Sequence, residues 1–243
     1  LKETLAAAML AAADWQGRAE DRPLFDPCCG AGTIAIEAAQ IACAIAPGAN
    51  RRFAFEGLAP WREHQVAWRA LREAARARVH APLVPIFAGD VSFRMTDFAT
   101  RNAERAGLTG ALKGAIEFKT ADALQRPPPA ERGTLVLNPP YGERIGAKGA
   151  GAGADAGGGG REAFESGSGA PAEFFSALAA HWKRQYAGWT AWVLSPEMKL
   201  PSLMRLKESQ RVPLWNGPIE CRLFRFDMVA GSARPLAAPT GTP

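Results

Sequence analysis

The apolar run Pro23-Leu24-Phe25, the turn Asp26-Pro27-Cys28-Cys29-Gly30-Ala31-Gly32-Thr33 and the apolar positions Ile34, Ile36, Ala38, Ala39, Ile41 and Ala42 constrain this chain more than any other feature. Short strand, glycine loop and helix in that order form the first half of an open α/β fold. Glycines let a backbone approach a ligand closely, and the free N–H groups at a helix start favour a carboxylate or phosphate. Gly30, Gly32 and Ala35 also fit the dinucleotide spacing G-x-G-x-x-A, which expects an acid about 20 residues on. Glu56, ending Phe53-Ala54-Phe55-Glu56, is the candidate for that acid. Asp26 and Pro27 are unusual before a dinucleotide loop. They suit a ligand that carries a positive centre as well as a carboxylate.

Three further strands follow. Residues 83–88 end at Gly89-Asp90, residues 115–120 at Ala121-Asp122, and residues 134–137 at Asn138. A helix over 93–106 stops at Gly107, a favourable C′ residue. Asp26, Asp90, Asp122 and Asn138 therefore line one edge of a parallel sheet, where doubly wound folds place their ligand. Asp90, at the end of the second strand, is the candidate for ribose hydroxyls, and Asp122 for an adenine amino group. Thr4, near the start of an apolar helix over 2–13, lies close to whatever the glycine loop binds.

Asn138-Pro139-Pro140-Tyr141 is the second constraint. Proline fixes φ, lacks an N–H and holds the preceding residue extended. Two in a row make a stiff turn that continues neither a strand nor a helix. The Asn138 side-chain oxygen and a nearby backbone carbonyl can both accept from a planar –NH2 and orient its lone pair towards an electrophile. Tyr141 offers a flat face for a base drawn out of its stack. Asn138, Pro139, Pro140 and Tyr141 are the catalytic candidates. The bland alternative is a Pro-rich turn with a capping Asn.

The chain has 243 residues, 47% of them hydrophobic, and a net charge of +5. That is enough for a full core and mildly favourable to a nucleic-acid partner. No stretch approaches ~20 apolar residues, so no transmembrane helix is expected. Cys28, Cys29, Cys43 and Cys221 have no zinc-type spacing and make a poor disulfide framework. The expected setting is a reducing cytoplasm, without metal. Residues 61–79, with Trp61, Val66, Trp68, Leu71 and Ala75 among Arg and Glu, read as an amphipathic helix with a basic outer face, for which solvated surface is favoured over an RNA contact. Residues 147–170 turn abruptly to Gly, Ala and Ser, a flexible insertion. After a helix through Phe174, Phe175, Leu178, Ala179 and Trp182 come a strand at 189–194 and a short helix at 198–207. Strands at 212–215 and 220–226 close the domain. Asn216-Gly217-Pro218 joins them, with Pro218 pointing to a less regular turn. Residues 231–243 form a frayed tail. The chain opens at Leu1 inside a helical pattern and is expected to be a piece of a longer protein.

Taken together, these residues resemble the class I S-adenosylmethionine-dependent methyltransferases. More narrowly, they resemble the RNA guanine-N2 methyltransferases that carry an upstream THUMP RNA-binding domain, including those acting on bacterial 23S rRNA. The likeness rests on residues 1–6, 26–33, 36–39, 53–56, 89–90, 102–107, 138–146 and 221–224, which run through nearly the whole chain in family order. It implies a seven-stranded, mostly parallel sheet with an antiparallel C-terminal hairpin strand and helices on both faces, formed by residues 1–230 acting as a monomer. It implies S-adenosylmethionine held by Thr4, Asp26, Pro27, Cys28, Gly30, Gly32, Thr33, Asp90, Asp122, Ala123 and Asn138. RNA, rRNA first, is the implied partner. The resemblance also assigns Phe53–Glu56 to an insertion, which removes Glu56 as a ribose ligand. The pattern departs at Ser92, where a second acid is usual, and at the doubled Cys28-Cys29. Transfer to a tRNA guanine or to a DNA adenine N6, a nicotinamide-dependent oxidoreductase and a non-catalytic RNA-binding module are the alternatives.

Overall fold

The computed structural model describes residues 1–140 and 170–229. Thirteen regular elements alternate through them. Helix α1 (Glu3–Ala12) precedes β1 (Leu24–Asp26), α2 (Thr33–Ala42), α3 (Trp61–Ala77), β2 (Ile86–Asp90), α4 (Phe93–Arg105), β3 (Glu117–Thr120) and β4 (Thr134–Leu137). Then come α5 (Ala170–Gln185), β5 (Thr190–Ser195), α6 (Leu200–Met204), β6 (Gln210–Asn216) and β7 (Ile219–Asp227). The strands form one sheet in the order β3-β2-β1-β4-β5-β7-β6. Only β7 runs against its neighbours, pairing antiparallel with β5 and β6.

Strand alternation divides the core between the two faces. Leu24, Val136, Trp192 and Leu194 join the α1, α2 and α4 side. Phe25, Leu135, Leu137 and Val193 join the α5 and α6 side. The chain steps outward from β1 to β3, then returns to place β4 on the other side of β1. That reversal makes the carboxyl ends of β1 and β4 the topological switch point, the place where such sheets take a ligand.

Three local expectations are corrected. The turn between β6 and β7 is tight, since Asn216 pairs directly with Ile219. Gly217 takes φ +65° there, and Pro218 suits the second position of a turn that needs glycine first. The strand expected from residue 83 begins at Ile86, leaving Leu83 exposed. Helix α3 forms but buries no residue, and Val66 and Leu71 are 79% and 61% exposed. Its packing partner is the 3-10 turn Ala54–Gly57 rather than the sheet. Phe53, Phe55, Trp61 and Trp68 hold that contact, with ring centroids 5.2–6.0 Å apart.

Candidate functional site

Strand β1 ends in the buried carboxyl of Asp26, 1% exposed. One of its oxygens accepts from the Cys28 N–H at 3.1 Å. Burial, and then the nearby charge of Asp90, pushes this carboxyl up to about 8, because a charge loses its hydration there. The Cys28 thiol is pushed well above its ordinary value by burial first, then by Asp26, Asp90 and Asp122. One sulfur thus lies in the field of all three strand-end acids, which strand order alone brings together. Cys29 is raised in the same way by burial, Asp26 and Asp90. Neither thiol is poised to act as a thiolate nucleophile.

The glycine loop is fixed from β2. Cys29 N–H donates to the Gly89 carbonyl at 2.7 Å, and Gly30 N–H donates to Asp90 Oδ2 at 3.0 Å. The other Asp90 oxygen accepts from Ser92 N–H at 2.9 Å. Gly32 stands at φ +86°, and a Cβ there would meet the Ala99 Cβ at 3.0 Å. That glycine serves loop shape and the approach of α4 together. A Cβ on Gly30 would make only ordinary contact, with Met95 Cε at 3.9 Å, so its φ of +51° rather than crowding asks for glycine there. Helix α2 begins after Gly32 without a side-chain cap, which leaves its leading N–H groups available.

Asp122 Oδ1 accepts from Leu124 N–H at 2.9 Å, and Gln125 Nε2 donates to Oδ2 at 3.3 Å. Ala123 beside it is buried. On β4, Leu24 pairs with Thr134 and Phe25 with Leu135, so Asp26 is level with Val136 and Asn138 follows two residues beyond. The Asn138 side-chain oxygen is buried and has no hydrogen-bond partner among the described residues. A buried, unpaired acceptor costs free energy unless a ligand supplies a donor. Pro139 is buried and Pro140 half-buried. Tyr141, Glu143, Arg144, the 147–170 insertion up to residue 169 and the 231–243 tail lie outside the described residues.

Thr4 is exposed in the first turn of α1. Burial, followed by the charge of Glu3, holds the Glu37 carboxyl above its ordinary value. The start of α1, with Thr4, is therefore a neighbour of α2. Glu56 is elsewhere: it accepts from Phe53 N–H at 3.0 Å and lies 3.8 Å from Arg52. It is no ribose ligand.

Two supports carry no assignment from sequence. Asn102 Nδ2 donates to the Ala31 carbonyl at 2.9 Å and ties α4 to the loop. Arg126 is 6% exposed, its guanidinium 4.5 Å from the Phe25 ring centroid, and Nη1 donates to the Ala88 carbonyl at 3.1 Å. Its own carbonyl accepts from Tyr186 Oη at 2.8 Å, and His181 Nε2 is also 2.8 Å away. A carbonyl only accepts, so His181 carries its proton on that nitrogen. Asn102 stood inside a motif without a role, and Arg126 sat in a Pro-flanked loop that gave no signal.

The loop, the three acids and the unpaired Asn138 acceptor fit a ligand with a positive centre, a diol and an amine. The UPF0020 family model, described as an RMKL-like methyltransferase domain, matches residues 1–153. The ribosomal RNA large subunit methyltransferase K/L of Shewanella baltica (strain OS195) is 37% identical over 240 residues. The match covers 96% of this chain and 30% of the relative, so the chain spans under a third of the length of the curated relatives it matches. Among solved structures, SMU.472 complexed with SAH has a TM-score of 0.75 and 26% identity, over 96% of this chain and 54% of that one. A predicted N6-adenine-specific DNA methylase from Listeria monocytogenes (str. 4b F2365) has a TM-score of 0.71 and 30% identity, over 93% and 51%.

Proposed function

The chain belongs to the UPF0020 family of RMKL-like methyltransferase domains, and from that premise we propose that it methylates the exocyclic N2 amine of a guanine in large-subunit rRNA, with S-adenosylmethionine as donor. The observation that carries this reading is the buried Asn138 acceptor without a partner, set beside the glycine loop at the sheet's switch point. The names of the relatives supply the RNA class.

The donor supplies a methyl group already activated on a sulfonium, so alignment and electrostatics are the work left to the protein. Thr4, Pro27, Cys28, Gly30, Gly32 and Thr33 surround the methionine portion. Asp26 places a carboxyl near the positive centre, which lowers the cost of ionising that buried group. Asp90 accepts from ribose hydroxyls, and Asp122 with Ala123 borders the adenine. Asn138 Oδ1 and the Pro139 carbonyl accept from the guanine amine and fix the direction of its lone pair. Pro140 keeps the turn stiff, and Tyr141 stacks on the flipped base. On this reading residues 1–230 act as a monomeric methyltransferase domain in the cytoplasm, with RNA as partner and an RNA-binding domain upstream.

A second reading, transfer to adenine N6 of DNA, is favoured by the likeness to the Listeria protein. The Asn138 acceptor serves either amine. Isotopic methyl transfer to purified rRNA, tRNA and DNA, followed by nucleoside mapping, separates them. Label in N2-methylguanine of large-subunit rRNA is the expected result. Label confined to DNA adenine or tRNA overturns the substrate, and a chain that does not bind S-adenosylhomocysteine is no methyltransferase.

A further inference from the structure

Helix α3 leaves and rejoins the fold at the end of α2 remote from the glycine loop, where His80 N–H donates to the Cys43 carbonyl at 3.2 Å. One side of it, with Arg52 from the preceding loop, lines a groove of about 840 Å³ that holds five arginines against Glu56 and Glu73. At 100° per residue, Trp61, Arg62, Gln65, Trp68, Arg69, Arg72 and Arg76 fall within one side of the helix. Arg62 and Arg76 are about 21 Å apart along its axis. Arg62, Arg69 and Arg76 are exposed and have no carboxylate partner among the described residues. Arg72 is anchored, its Nη2 donating to the Ala49 carbonyl at 2.8 Å. Trp61 and Trp68, half-buried against Phe55, present aromatic surface beside these charges.

Free arginines of one sign, set in a row beside indole rings, match a single-stranded polyanion. Phosphates neutralise the guanidinium groups, and an unstacked base can lie on a ring. A protein partner would need a carboxylate placed against each of these charges, and any left buried without one would cost several kcal/mol. We infer that this side of α3 is a second RNA-contact surface, which grips the phosphodiester backbone of RNA flanking the target nucleotide through Arg62, Arg69 and Arg76 and stacks a base on Trp61. The inference rests on RNA being the substrate, but it concerns binding rather than transfer. Helix α2 alone rises about 15 Å from the loop to the end where α3 joins, so the reacting nucleotide is not the one held here.

The test is fluorescence anisotropy of the full chain with a labelled single-stranded RNA of about 16 nucleotides, across a salt series. Arg69→Ala/Arg76→Ala should weaken binding about tenfold near 0.1 M salt. It should also flatten the log–log salt slope by about 1.4, since each phosphate contact on a single strand contributes roughly 0.7. Trp61→Ala should weaken binding with the slope kept, and Trp61→Phe should restore it. S-adenosylhomocysteine affinity should be unchanged in all three, which shows that the fold persists. Unchanged RNA affinity and slope in both the double variant and Trp61→Ala overturns the assignment and leaves this face to a protein partner. Wild-type chain that binds RNA through these residues but transfers no methyl group overturns the proposed reaction and leaves the surface standing.

Discussion

At the carboxyl edge of the sheet Asp26 is 1% exposed, and both oxygens of Asp90 are held by backbone N–H groups. On α3 no residue is buried, and Arg62, Arg69 and Arg76 face solvent without a carboxylate partner among the described residues. The edge gathers carboxyl groups inside the fold, Asp26 the most deeply buried, while α3 spreads positive charge outside it. Buried charge is costly and is kept where a small ligand can be held to a fixed geometry. Exposed charge costs little, adapts to a flexible polymer and is screened by salt. On the proposed readings, chemistry and substrate grip are separated in one chain, the first on strand ends and the second on a helix packed against the loop that precedes it.

The sharpest way to break this contrast is Asn138→Ala. Methyl transfer should fall about 10²–10³-fold, while S-adenosylhomocysteine affinity, measured by calorimetry, stays within about twofold. Equal loss of both would make Asn138 a structural residue. Next in size is Asp26→Asn, read as thermal stability against pH without ligand. The folded carboxyl titrates near 8 against an ordinary 3.8, so between those values the native state binds more protons than the unfolded one. The contribution of Asp26 is then fully present below about pH 4 and is lost as pH rises to about 8. The wild type should therefore lose stability relative to the variant over that window, by on the order of a few kcal/mol. Parallel curves would show that the carboxyl is not buried as described.

Asp90→Ala removes an acceptor that holds Gly30 and, on the proposed reading, the ribose. A charged hydrogen bond of about 1.5–3 kcal/mol corresponds to roughly tenfold to hundredfold weaker S-adenosylhomocysteine binding. An unchanged affinity would place the ribose elsewhere. The smallest effect belongs to α3: Val66→Asp should shift stability by no more than about 0.5 kcal/mol in urea denaturation. A large loss there would show that α3 is packed against something in solution.

Local signals announced the edge well. Thr134–Leu137 forms the expected strand, Gly107 takes φ +95° after α4, and Asp26 and Asp90 sit at their strand ends. Glycine and proline stereochemistry and short apolar runs are properties of neighbouring residues, so they can be read in order along the chain. Helix α3 was legible only in part. Its helical period was plain, but a stripe of Val66 and Leu71 says nothing about whether a core exists for it to meet. Arg126 was silent for a related reason, since its partners come from β1, β2 and α5, distant in sequence.

The sequence by itself determined the strand–loop–helix at β1, the stiff Asn138 turn and the polar residue at each strand end, because steric limits on the backbone act within a few residues. Only the tertiary structure decided that β4 lies beside β1, that Asp26, Asp90 and Asp122 share one thiol's surroundings, and that Val66 and Leu71 of α3 find no core to enter. Those outcomes depend on strand order and on which surfaces find a partner, and both are settled by contacts between residues far apart in the chain.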